Sequence, residues 1–134
     1  MVVKSLGGSC QCGNVQYVIE GKAYRLNVCH CRDCQSQSGS AFGMSLVIRP
    51  GDFRLVSGQL KEFNTMADSG REKTSAFCPD CGIRIYNRTD MLMSVKAGTL
   101  NDTSQLAPNA HYWTKSKQQW TPIPAEASQF EKAE

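Results

Sequence analysis

The sequence predicts a mainly β protein, and three observations carry that reading. Short runs rich in β-branched and aromatic residues recur between glycines, prolines and Asp/Ser turns. No segment of about 12 or more residues keeps a 3.6-residue apolar repeat, so long helices are not expected. All seven cysteines fall in three tight clusters: Cys10-Gln-Cys12, Cys29-His-Cys31-Arg-Asp-Cys34 and Cys78-Pro-Asp-Cys81. Cysteines two or three residues apart suit one metal ion better than a disulfide framework.

In chain order, residues 15–20 (VQYVIE) read as a first strand between Gly13 and Gly21. Residues 42–48 (FGMSLVI) read as a second, ended by Pro50-Gly51. Residues 53–56, 60–63 and 73–77 follow as short strands, separated by Gly58 and by Asp68-Ser69-Gly70. Residues 83–86 alternate cleanly, and 91–97 less so. A short helical turn is expected over 32–37 and another over 101–107.

A chain of 134 residues fits one domain. The sequence predicts a single zinc-binding domain over 1–124 and a polar, loosely ordered tail over 125–134. Net charge is only +3 with basic residues scattered, which argues against a nucleic-acid partner. Residues 1–9 hold no signal-type apolar stretch, and 42–48 is too short to span a bilayer, so no membrane partner is expected. The expected location is the cytoplasm, where clustered thiols serve metal or redox chemistry.

Cys10, Cys12, Cys78 and Cys81 form a four-thiolate set for a structural zinc. Tetrahedral zinc holds each sulfur at about 2.3 Å, so the chain must bend sharply at each pair. Gly13 and Gly82, directly after the second cysteine of each pair, can take the positive φ this needs. Backbone N–H groups of such knuckles can donate to the thiolates. A redox dithiol at Cys78 and Cys81 is the rival, weakened by the absence of a βαβ pattern.

Cys29, Cys31 and Cys34 offer three thiolates from one short segment and leave a fourth position open, the arrangement of a catalytic zinc. An extended local chain turns His30 away from the two cysteines beside it, which suits a packed or hydrogen-bonding histidine better than a ligand. His111 or a partner chain could instead close the site. Three thiolates blunt the acidification of bound water and favour a soft thiolate in the open position. His111 is also a candidate acid/base. Trp113 and Trp120 read as core or edge packing before pocket lining, and Phe42 as core before substrate wall. Arg32, Arg49, Arg84 and Arg88 can meet anions, though solvated surface charge accounts for each equally well. Ser38-Gly39-Ser40 reads as a polar loop before a strand, with an anion-binding backbone as the sharper alternative.

The segments GSCQCGNVQY from Gly8, CHCRDCQSQSGSAF from Cys29 and FCPDCG from Phe77, with His111-Tyr-Trp113 through Trp120, resemble the glutathione-dependent formaldehyde-activating enzyme family. The resemblance implies a β-tent fold of twisted antiparallel sheets. It also implies two zinc ions, structural at Cys10, Cys12, Cys78 and Cys81 and catalytic at Cys29, Cys31 and Cys34. The implied activity is carbon–sulfur lyase chemistry on a thiol–aldehyde adduct, with a small-molecule thiol such as glutathione and a small aldehyde as partners. Two alternatives stay open on the residues alone. One is a non-catalytic zinc–thiolate module that binds thiols or senses oxidants; the other is a zinc-ribbon-like adaptor.

Overall fold

The computed structural model describes residues 2–66, 70–104 and 106–133. Ten strands dominate it: β1 Val2–Ser9, β2 Gln16–Cys29, β3 Gly43–Ile48, β4 Phe53–Ser57, β5 Lys61–Met66, β6 Glu72–Phe77, β7 Arg84–Arg88, β8 Met93–Lys96, β9 Ala110–Tyr112 and β10 Ser128–Gln129. Among the described residues the one α-helix is α1, Arg32–Ser38, and three 3₁₀ turns lie at Pro50–Asp52, Ala97–Thr99 and Thr114–Ser116.

The main sheet runs β10-β9-β2-β3-β8-β7-β6-β5, while β1 and β4 join it through β2, and Gly8 of β1 also bridges Leu100. β2 therefore belongs to two layers. Its first part, Gln16 to Ile19, lies between β1 and β4, and its second part, Ala23 to Cys29, lies beside β3 and β9. Gly21 sits at the changeover with φ +130, a backbone region closed to most side chains. A register shift between Ala23 and Arg25 moves the inward parity from Tyr17, Ile19 and Ala23 to Leu26 and Val28. One bulged residue thus lets a single strand turn a corner and keep an apolar face on the core on both sides of it. The core gathers Tyr17, Ile19, Leu46, Ile48, Ile85 and Val95, all essentially sealed from water.

The sequence reading ends the first strand at Gly21, but ladder bonds to β3 and β9 carry β2 on to Cys29. β1 and β9 have no strong strand signature of their own. β1 is rich in small residues, and β9 is three residues held on both sides by parallel neighbours. The strand expected over 91–97 begins at Met93, leaving Met91 and Leu92 exposed. Of the turn expected at Asp68-Ser69-Gly70, only Gly70 is among the described residues, with φ +84. No helix forms among the described residues of 101–107. There the Asp102 carboxylate accepts the Ser104 N–H at 2.9 Å, a local bond that competes with helical pairing. The stretch expected as a loose tail contributes β10, and Phe130 stacks on Tyr112 with ring centroids 5.0 Å apart. Trp120, expected to pack, is 74% exposed.

Gly8 pairs with Tyr17 across β1 and β2, and a Cβ there would stand 2.2 Å from the tyrosine ring. That ring is buried, hydrogen-bonded through its hydroxyl to Thr99 Oγ1 at 2.6 Å and stacked on Phe53. It has nowhere to go. Gly8→Ala should therefore cost about 1–3 kcal/mol as an overpacked site, read by urea denaturation of the metal-loaded protein. Gly98→Ala, where a Cβ meets nothing within 4 Å, should stay within about 0.5 kcal/mol of the native protein.

Candidate metal centres

The four sulfurs of Cys10, Cys12, Cys78 and Cys81 lie within 4.8 Å of one another. Cys10 and Cys12 Sγ are 3.5 Å apart, and Cys12 and Cys78 Sγ 3.8 Å, too far for a disulfide and close to the edge of a zinc–thiolate tetrahedron. Each pair sits in a tight knuckle built by its own backbone. Gly13 N–H donates to Cys10 O at 3.2 Å, and Gly82 N–H to Cys78 O at 2.8 Å. Both glycines are left-handed, with φ +83 and +80, as their position after each pair requires. Val15 N–H points at Cys10 Sγ (3.3 Å) and Asp80 N–H at Cys78 Sγ (3.4 Å), donors suited to thiolates. Hydrogen bonds from the Ile83 and Cys12 backbone hold the Cys81 thiol down to about 6. Asn14 Nδ2 donates to Asp80 Oδ2 at 2.9 Å, tying the knuckles together.

The second set lies at the other end of β2. The sulfurs of Cys29, Cys31 and Cys34 also lie within 4.8 Å of one another, each half-buried. Cys29 ends β2, Cys31 caps α1, and Cys34 is in the first turn of that helix. Cys31 Sγ accepts the Cys34 N–H at 3.3 Å. The thiols of Cys29 and Cys34 directed at Cys31 hold it well below the ordinary thiol range, while the Cys31 and Cys34 sulfurs push Cys29 above it. Three clustered cysteine sulfurs can give up protons on binding a metal. Both donor sets can hold a metal ion and suit zinc, which takes thiolate sulfur in this geometry.

His30 turns away from the cysteines on either side of it. It is fully buried, and its Nε2 meets His111 Nδ1 at 2.9 Å with the rings stacked 5.2 Å apart. Burial first, then the field of His111 and Lys117, lowers the His30 pKa. His111 is held on β9 against this ring, outside the sulfur cluster. There it packs behind the loop that carries the cysteines.

Gln35, which carries no motif signal, is the hub of that loop. Its Nε2 donates to His30 O at 2.8 Å and Ser116 O at 3.1 Å, while its Oε1 accepts from Arg32 and Gln118. This fixes the cysteine loop to the C-terminal segment. Trp113 lies on that segment with φ +57, a left-handed backbone unusual for so large a residue. It lines a cavity of about 540 Å³ with Cys31, Cys34, Gln37 and Asn87. Phe42, expected in the core, is half-buried, packs its ring 5.7 Å from His30 and lines a neighbouring cavity. The Ser38 and Ser40 hydroxyls both donate to Phe42 O, which makes their segment a local polar turn. Of the four arginines noted in the sequence, Arg49 pairs with Asp52, Arg88 with Glu62, and Arg32 bonds Gln35.

A mainly β fold bearing a four-cysteine and a three-cysteine cluster defines a small protein suited to two metal ions. The chain belongs to the glutathione-dependent formaldehyde-activating enzyme family, whose model matches residues 5–116. None of the curated proteins compared matches its sequence. A Rhodobacter sphaeroides protein of known crystal structure shares the fold, with a TM-score of 0.57 at 16% identity, covering 92% of this chain and 98% of its own. Among the described residues no helix is long and apolar enough to cross a membrane.

His111→Phe removes the partner of a buried ring nitrogen. It should destabilise the protein by about 1–3 kcal/mol in urea denaturation while leaving the metal content unchanged. A loss of metal equal to that of a cysteine variant would instead make His111 a ligand.

Proposed function

We propose that the protein is a zinc-dependent carbon–sulfur lyase-type enzyme that joins a small-molecule thiol, such as glutathione, to a small aldehyde or related electrophile. The observation that carries this is the three-cysteine cluster, which presents Cys31 and Cys34 to the 540 Å³ cavity. Family membership supports the same chemistry. In this reading Cys29, Cys31 and Cys34 hold a catalytic zinc, and Cys10, Cys12, Cys78 and Cys81 hold a structural one. The cytoplasm, a reducing compartment, keeps all seven thiols available.

Bound zinc would stabilise a thiolate at neutral pH, the reactive form of the substrate. The chain's own residues do the rest. Cys31 at the start of α1 and Cys34 one turn later fix two donors on one rigid element, while Gln35 and the His30–His111 pair lock the loop behind them. Trp113 walls the cavity and limits water around the reacting carbon. A carbon–sulfur bond forms, and the thiol proton ends on the former carbonyl oxygen. The reaction is redox-neutral and needs no further reactant.

Exchange NMR of glutathione, formaldehyde and their adduct tests the proposal. The zinc-loaded protein should accelerate exchange, and Cys34→Ser should abolish this with thermal stability close to native. Cys81→Ser should lose metal and fold together. No acceleration at full zinc occupancy, with thiol binding intact, would leave a non-catalytic thiol-binding module in its place. A Cys34→Ser collapse as severe as that of Cys81→Ser would make both clusters structural.

A further inference from the structure

Lys96 and Arg84 both feel the charge of Cys34 in the three-cysteine cluster, and among the described residues neither has an acid of its own. Lys96, at the end of β8, is only 9% exposed, a rare placement for a lysine. A Cβ on Gly43 would stand 3.1 Å from Lys96 Nζ and 3.4 Å from Cys34 Cβ, so the ammonium lies beside the cluster. Arg84, at the start of β7, is half-buried. Its Nη1 donates to Asn87 Oδ1 at 2.7 Å, and the guanidinium carbon lies 5.0 Å from the Phe63 ring centroid, which fixes its plane. Among the described residues neither cation is in an ion pair.

Both line a cavity of about 320 Å³ between α1 and the sheet, with Phe42, Met44 and Ile83 as its apolar wall and no acid among the described lining residues. Gln37, anchored by Asn87 Nδ2 at 2.9 Å, lines this cavity and also the one that reaches Cys31 and Cys34. A buried, unpartnered ammonium is costly unless something negative meets it. The cysteine cluster supplies part of that charge to both cations, and no carboxylate among the described residues supplies the rest.

We propose that this cavity is a carboxylate-binding subsite in which Lys96 and Arg84 hold the acid group of the thiol substrate while its sulfur reaches the three-cysteine cluster. The proposal rests on the thiol chemistry above and narrows it to thiols that carry a carboxylate. The guanidinium, with Nε and Nη2 not engaged by Asn87, offers the forked donor that matches a carboxylate. Lys96 adds a point charge between acid and sulfur. The apolar wall takes the intervening part of the ligand.

Calorimetric titration of the zinc-loaded protein with glutathione and with its diethyl ester, which keeps the thiol and loses both acid charges, tests this. The native protein should bind glutathione about tenfold or more tighter than the ester. Arg84→Gln and Lys96→Met should each erase most of that difference by weakening glutathione alone, with Lys96→Arg retaining part of it. Should Lys96→Met fail to fold, Arg84→Gln and Lys96→Arg carry the test. Equal affinity of the native protein for both ligands overturns the subsite. So does an equal loss for both ligands in the variants, which would make the two cations counter-charges of the cysteines only. If neither ligand binds, the thiol chemistry itself falls, and the subsite with it.

Discussion

Both metal-type clusters hang from one strand. The Cys10–Cys12 knuckle leads into β2, and Cys29 is its last residue, so the ladder bonds of β2 set where the two clusters lie relative to each other. Antiparallel pairing to β1, β4 and β3 and parallel pairing to β9 leave β2 no freedom to slip, because a one-residue shift would turn Tyr17, Ile19, Leu26 and Val28 out of the core. The corner at Gly21 and the bulge that follows let the strand serve two layers. The helix bearing Cys34 then begins within three residues of the strand's end.

The four-cysteine set acts on this scaffold as a cross-link. Cys12 and Cys78 are 66 residues apart in the chain. Joining them through one ion closes a loop whose entropy in the unfolded chain is worth about 4 kcal/mol on the cross-link scale. That is a large part of the stability of a domain this size. The knuckles contribute nothing comparable alone, since each is only one turn of backbone with a left-handed glycine.

The three-cysteine set is supported differently. Its donors come from one short segment and close no long loop, so its geometry depends on what packs behind it. A buried histidine pair, a buried glutamine with four hydrogen bonds and a tryptophan in a left-handed backbone all lie within or beside that loop. The His30–His111 bond and the four bonds of Gln35 favour a single arrangement, where an apolar backing would allow several. The result is a three-sulfur cluster that faces a cavity on one side and has Lys96 and Arg84 near it.

The sequence by itself determined both sulfur sets and the turns that shape them. Cysteines two, three or five residues apart, with a glycine directly after each of the two-cysteine clusters, are local constraints that any fold must satisfy within a few residues. It also determined that the chain is mainly β, because alternation and turn residues act over the same short range. The corner in β2, strands β1 and β9, the His30–His111 bond and the hub at Gln35 were decided by tertiary structure. So was the approach of Lys96 and Arg84 to the open cluster. These contacts join residues far apart in the chain, and a lysine or glutamine bound for the interior looks in sequence like any solvated side chain. Which polar groups a sheet brings face to face depends on strand order and register, and neither is written in any one segment.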